Sequence, residues 1–295
     1  MTTPQEVLAD LQNRANDVQR RVSFSDVANT TAQIDDQLSS LSTRHKEVRQ
    51  RGYVFAAEID SGAEQLTNEW ESRHRQIDDQ LQQAQGRLKD EFEQLARLVQ
   101  QAAMAPSMPA LQKVERAIVD VEGKVASAES DLTALYTPTQ QGLSPLTGQL
   151  GRIEQCLGHK DEAGFDFDNN ENIFQTAQAE WVETGSGKED PDGILFLTDQ
   201  RLIFEQKEKV GKKLGMFGGK EVQEVEWAIP LSQIAAVSAE DKGLLGGKDL
   251  IHLTLGEGAD YGKLTVEIKG GVDSKVWADF VQRATNGDIN NERIS

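Results

Sequence analysis

The sequence predicts an α+β chain of more than one domain. An N-terminal long-helix coiled coil or helical hairpin precedes a small β-barrel capped by a C-terminal helix. Two observations predict it. Apolar residues recur in steps of three and four from Ile34 to Leu157, the spacing that lines one face of a helix. From Phe174 the pattern changes to short alternating runs separated by turn residues, which is how strands read.

The first stripe runs through Ile34, Leu38, Leu41, Val48, Phe55, Ile59, Leu66, Trp70, Ile77, Leu88 and Leu95, and no proline interrupts residues 5–105. His45, Gly52 and His74 fall on the same seam and weaken it, so bends are expected there. An earlier stripe, Val7, Leu11, Val18 and Val22, places a helix start near Thr3-Pro4. Pro106 and Pro109 end the long run, because proline is tolerated only in a helix's first turn.

The next stripe, Leu111, Val114, Ile118, Val121, Val125, Ala128, Leu132 and Leu135, keeps strict heptad spacing. A second break is expected over 137–145, where Ser144-Pro145 reads as an N-cap with proline at the first helical position. Such stripes are marginal alone in water. They fold back as antiparallel hairpins or pair between chains, and the pattern allows both. The helical region is therefore assigned to residues 1–157, with breaks near 104–109 and 137–145.

Residues 158–173 lose all periodicity and read as an acidic linker. Asp166, Asp168 and Asn170 open a calcium-loop pattern, but Glu171 stands where glycine is needed and Ala177 where the bidentate glutamate belongs. No metal site is expected there.

The β-rich domain is assigned to 174–286, with a disordered tail at 287–295. Strands are expected around 178–184, 193–198, 201–206, 222–229, 234–239, 250–255 and 264–269. A closing helix over 272–284 has Asp273 as N-cap, with Trp277 and Phe280 on its apolar face. A small bent barrel with a helix over one end covers its sheet edges.

Residues 193–205, Gly-Ile-Leu-Phe-Leu-Thr-Asp-Gln-Arg-Leu-Ile-Phe-Glu, resemble the signature of GRAM and bacterial PH-like domains. In that signature a strand ending in Thr turns directly into an Arg-Leu-x-Phe strand. The resemblance extends over about residues 172–285, through Trp227, the 250–255 run and the helix bearing Trp277. It implies a binding module for lipid headgroups, membrane surfaces, peptides or other proteins, and it implies no catalysis. Within the motif, Arg201 is expected to sit at the turn and pair with a carboxylate.

Two segments between strands share one chemistry. Residues 207–220 hold Lys207, Lys209, Lys212, Lys213 and Lys220 against one acid, net +4, around Leu214, Met216 and Phe217. Residues 242–248 place Leu244 and Leu245 between Lys242 and Lys248. Lysines reaching phosphates while apolar tips enter the headgroup boundary would dock on an anionic membrane. The same tips packed on one another would instead extend the core. Neither segment is a phosphate-binding P-loop, because Leu214 and Lys242 replace its first glycine and acids follow both terminal lysines.

Charge and composition bound the function. The chain has 295 residues and net charge −18. Residues 1–157 carry 16 basic and 23 acidic side chains, −7, and residues 158–295 carry 15 and 26, −11. Neither half suits nucleic acid. The single cysteine, Cys156, forms no internal disulfide and fits a reducing compartment. Neither a secretory leader nor, with Thr2 in place of glycine, a myristoyl anchor is expected. The four histidines lie apart in sequence, and no nucleophile, dinucleotide or zinc motif is present.

The expectation is a cytoplasmic, non-catalytic adaptor without cofactor or metal. Its β domain docks on the inner face of the membrane or on a protein partner. Its helices oligomerise or provide reach. A purely cytoplasmic protein-interaction scaffold without lipid contact is the alternative.

Overall fold

A computed structural model describes residues 3–184, 190–210, 220–241, 248–270 and 273–294, with the side chains of 208–210, 220, 221 and 241 left aside. Four long helices come first: α1 (Pro4–Arg21), α2 (Ser25–Gln50), α3 (Ala57–Met104) and α4 (Met108–Asp161). Seven strands follow: β1 (Ile173–Trp181), β2 (Asp192–Thr198), β3 (Arg201–Val210), β4 (Lys220–Pro230), β5 (Ile234–Asp241), β6 (Asp249–Leu255) and β7 (Lys263–Ile268). Helix α5 (Ser274–Asn286) and a short 3-10 helix (Asp288–Glu292) close the chain. Contacts gather these into two compact units, Met1–Ser42 with Gly62–Thr147, and Thr43–Ser61 with Gly148–Ser295.

In the first unit α1 starts on a capping box: Thr3 accepts from the Glu6 amide, Glu6 accepts from the Thr3 amide, and Pro4 opens the helix. The heptad stripe is the core of α4 here, with Leu111, Val114, Ile118, Val121, Val125 and Leu132 all buried. Ion pairs flank it. Arg14 holds Glu122 and Arg21 holds Glu129, one heptad apart on both helices, as parallel neighbours require. Across α2 and α3, the Trp70 indole donates to Asp35 at 2.6 Å.

The helices break between the two stripes at 22–24, where buried Phe24 adopts φ +49°, and at 51–56, at the Gly52 where a bend was expected, with Gly52 at φ +83° and Ala56 at φ +58°. Left-handed backbone ends a helix without proline. The predicted break at 137–145 is absent, and α4 runs straight through Pro138 and Pro145. Packing on α3 outweighs the hydrogen bonds lost at the prolines. Arg73 donates to buried Thr139 at 3.1 Å, Leu143 is buried, and a Cβ at Gly142 would lie 2.9 Å from Leu66. That glycine leaves room for the Leu66 side chain between α3 and α4.

The second unit contains the sheet, in the order β4-β3-β2-β1-β7-β6-β5, with every neighbouring pair antiparallel. Helix α5 packs on β5, β6 and β7. Asp273 caps it by accepting from the Lys275 amide, and Trp277 is buried. Every residue of β2 after Asp192 is buried, so both faces of that strand are covered.

The outer cover comes from the residues expected to be a linker. Helix α4 continues to Asp161, and residues 162–172 then form a strap across the sheet. Phe165 and Phe167 stack edge-on against Phe196, and the Gly164 amide donates to Glu205 at 2.5 Å.

The same unit includes the α2–α3 turn. Arg49 donates to the carbonyls of Tyr53, Phe55 and Ala56 and so holds the turn in shape. Phe55 packs edge-on against Phe174 of β1. The C-terminal tail is ordered, contrary to expectation. Ile289 is buried, the Ile294 amide donates to Val54 at 2.9 Å, and Arg293 lies over the Phe55 ring and bonds Asp199. These contacts join segments distant in sequence, so local composition did not announce them.

Candidate functional site

The 193–205 hairpin is held by one buried cluster. The turn at Asp199-Gln200 brings the Gln200 and Arg201 amides onto the Thr198 hydroxyl oxygen at 3.1 and 2.9 Å. That hydroxyl donates to Glu171 at 2.7 Å, and Arg201 bonds both oxygens of the same carboxylate at 2.9 Å. Burial alone would raise the Glu171 carboxyl. Hydrogen bonds from Arg201, the Asp168 amide and Thr198 outweigh it and hold the group below the usual carboxylate range. The carboxylate expected for Arg201 is thus Glu171, the residue that spoils the calcium-loop pattern. Only the need of Arg201 for a partner pointed to it in the sequence.

The lysine segments occupy two hairpin connections. Strands β3 and β4 are longer than expected and pair Lys207 with Gln223, Lys209 with Glu221 and Val210 with Lys220. The first segment therefore shortens to the β3–β4 connection, 211–219. The second joins β5 to β6. Lys212, Lys213, Leu214, Met216, Phe217, Lys242, Leu244 and Leu245 lie outside the described residues, as do the side chains of Lys209 and Lys220.

Two lysines of the set are described, and both are engaged at the bases of the hairpins. Lys207 bonds Glu162 at 2.8 Å, which pulls that carboxyl down. Lys248 bonds Glu180 at 3.0 Å and Glu267 at 2.5 Å, and these partners raise its ammonium above the lysine range. Glu180 also takes Lys269 at 2.7 Å, and Lys269 in turn bonds Asp192 at 2.5 Å. Burial works to raise Glu180, and the two ammoniums reverse it and hold it low. Sequence reasoning missed Lys269, which follows β7 and reaches the cluster through sheet pairing alone.

Between these ion pairs lies an open cleft of about 450 Å³. Lys207, Lys269, His159, Glu162, Asp192 and Gln178 line it. His159 bonds the Thr176 hydroxyl at 2.7 Å, and burial pushes its imidazole down. The cleft offers ammonium groups beside exposed carboxylates, a lining suited to polar recognition. Burial pushes the Cys156 thiol up to about 12, so it is a packing residue.

The remaining histidines are tied elsewhere: His45 to Asp60, His74 stacked on Trp70, and His252 between Thr265 and Glu240. Among the described residues no three metal-ligating side chains converge, and no helix is long and apolar enough to cross a membrane.

A seven-stranded antiparallel sheet closed by α5, the order of elements that the resemblance to PH-like domains implies, follows the long helices α1–α4. No family model and no curated protein matches the chain. Solved structures do. The Vps36 N-terminal PH domain is similar at 15% identity, over 42% of this chain and 86% of its own, with a TM-score of 0.28. A pleckstrin homology domain from Shewanella amazonensis SB2B is similar at 20% identity, over 41% and 89%, with a TM-score of 0.27. The Slm1-PH domain, solved in complex with inositol 4-phosphate, is similar at 14% identity, over 38% and 96%, with a TM-score of 0.27.

Proposed function

We propose that the chain is a non-catalytic adaptor whose PH-like unit docks on an anionic membrane surface through residues 207–220 and 242–248. One observation carries this reading. The residues from 158 onward have a net charge of −11, yet their lysines concentrate, net +4, in the segment that spans one hairpin connection, among glycines and bulky apolar residues. A strongly acidic unit is repelled by an anionic surface unless its charge is segregated in this way. Each lysine near such a surface contributes about 1 kcal/mol. The apolar residues contribute on the order of a few kcal/mol more by transfer.

The described lysines fit a supporting role in this reading. Lys207 and Lys248, held by carboxylates at the strand ends, brace the bases of the hairpins. Binding by one unit is then weak, and self-association through the helices raises avidity without new contacts. Co-sedimentation of the full chain with anionic vesicles tests the proposal. Retention in the supernatant at low salt overturns it and leaves the protein-scaffold reading.

A further inference from the structure

The α3–α4 turn is built unlike the rest of the surface. Six large apolar side chains are exposed among the described residues, and two of them, Met104 at 75% and Met108 at 51%, flank this one turn. Ala103, Ala105, Pro106 and Pro109 around them are exposed as well. Residues 98–112 carry no charge at all, although 27% of the chain is charged. A window of fifteen residues at that average would hold about four charged side chains.

The turn is also held firmly. The Ser107 carbonyl accepts the Leu111 amide at 3.0 Å and starts α4, and Ala102 and Leu111 are buried beneath the tip. The methionines are therefore presented outward by fixed backbone, with nothing described covering them.

We infer that this turn is a self-association surface that receives the same turn of a second copy of the chain. Three arguments select that occupant. First, two copies of net charge −18 repel wherever acidic faces meet, and this turn presents two exposed methionines within fifteen uncharged residues. Second, a two-fold contact must be self-complementary. An uncharged patch of flexible methionines and small residues satisfies that in many registers. Third, the flanking charges interleave. The first charges reached on either helix are exposed Arg97 and Lys113, followed by exposed Glu93 and Glu115. Antiparallel tips overlapping by about one turn set the cations of one copy against the carboxylates of the other. A tip this small buries less than the roughly 800 Å² per partner of a standard interface, so the contact is weak and concentration-dependent.

Sedimentation velocity of the full chain over a wide concentration range tests the inference. The wild type shifts to a larger species as concentration rises. Met104→Glu with Met108→Glu moves that shift at least tenfold higher in concentration. Ser107→Cys places a thiol at the tip while Cys156 stays buried, and mild oxidation links it into dimers faster than a Val119→Cys control. A single species at every concentration, or a shift unchanged by the double variant, overturns the inference. So does a double variant that loses vesicle binding while both proteins remain monomeric, because the tip would then be a membrane contact.

Discussion

The Tyr53 hydroxyl donates to the Phe174 carbonyl at 3.0 Å in a fully buried contact. Tyr53 belongs to the turn between two long helices, and Phe174 belongs to the first strand of the sheet. The unit that holds the sheet thus includes a helical hairpin end in its core. Replacing Tyr53 by Phe leaves the carbonyl unpaired and costs about 1–3 kcal/mol. Chemical denaturation of the full chain measures it, and an unchanged midpoint would show that the contact is dispensable.

The same relationship changes where the chain can be cut. A fragment of residues 170–288 lacks Tyr53, Phe55, Phe165 and Phe167 and uncovers Phe174 and Phe196. It is expected to bind a hydrophobic dye and to melt well below the second unit of the intact protein. Cooperative melting at the same temperature would show that the strap and turn add nothing.

Glu171 couples the hairpin to pH. Its side chain is fully buried against Arg201, and its carboxyl sits below the usual range in the folded protein. A lowered folded value means its contribution is present above the unfolded carboxylate value, about 4.3, and is lost as pH falls. Glu171→Ala, which strands Arg201, should cost about 3–5 kcal/mol near neutral pH and remove part of the acid-side slope. Equal acid sensitivity in the variant would contradict this.

Gly193 has no room for a side chain. A Cβ there would lie 2.0 Å from the Glu205 carbonyl oxygen. Gly193→Ala must push β2 from β3 and should cost at least the upper end of the ~1–3 kcal/mol typical of overpacking. Trp277→Ala, which empties the site under α5 where the ring is 1% exposed, should cost about 3–5 kcal/mol. Thermal melts of both variants check the pair, and a change of less than 1 kcal/mol in either would refute that packing.

Local periodicity made much of this fold legible. The 111–132 heptad became the core of α4, Asp273 became the cap of α5, and the 193–205 run became the β2–β3 hairpin. Features set by distant packing were not legible. Pro138 and Pro145 read locally as a break, and only packing on α3 keeps the segment helical. Phe165 and Phe167 read locally as linker, although both pack on Phe196, and Ile289 reads as tail, although it is buried. Of the candidate site, the sequence identified the lysine concentration but not its bracing. The carboxylates that hold Lys207 and Lys248 come from the strap after α4, from β1 and from β7, which only topology brings together.

The docking reading turns on how vesicle binding responds to charge and to apolar tips. Full-length protein is sedimented with vesicles of anionic and zwitterionic phospholipid across a salt series. The wild type should bind the anionic vesicles at low salt and lose binding as salt screens the lysines. Lys212→Glu with Lys213→Glu should weaken binding and flatten its salt dependence. Phe217→Ser with Leu244→Ser should weaken it at every salt concentration. Wild-type protein that stays in the supernatant with anionic vesicles at low salt, or binds both vesicle types alike, would contradict the account.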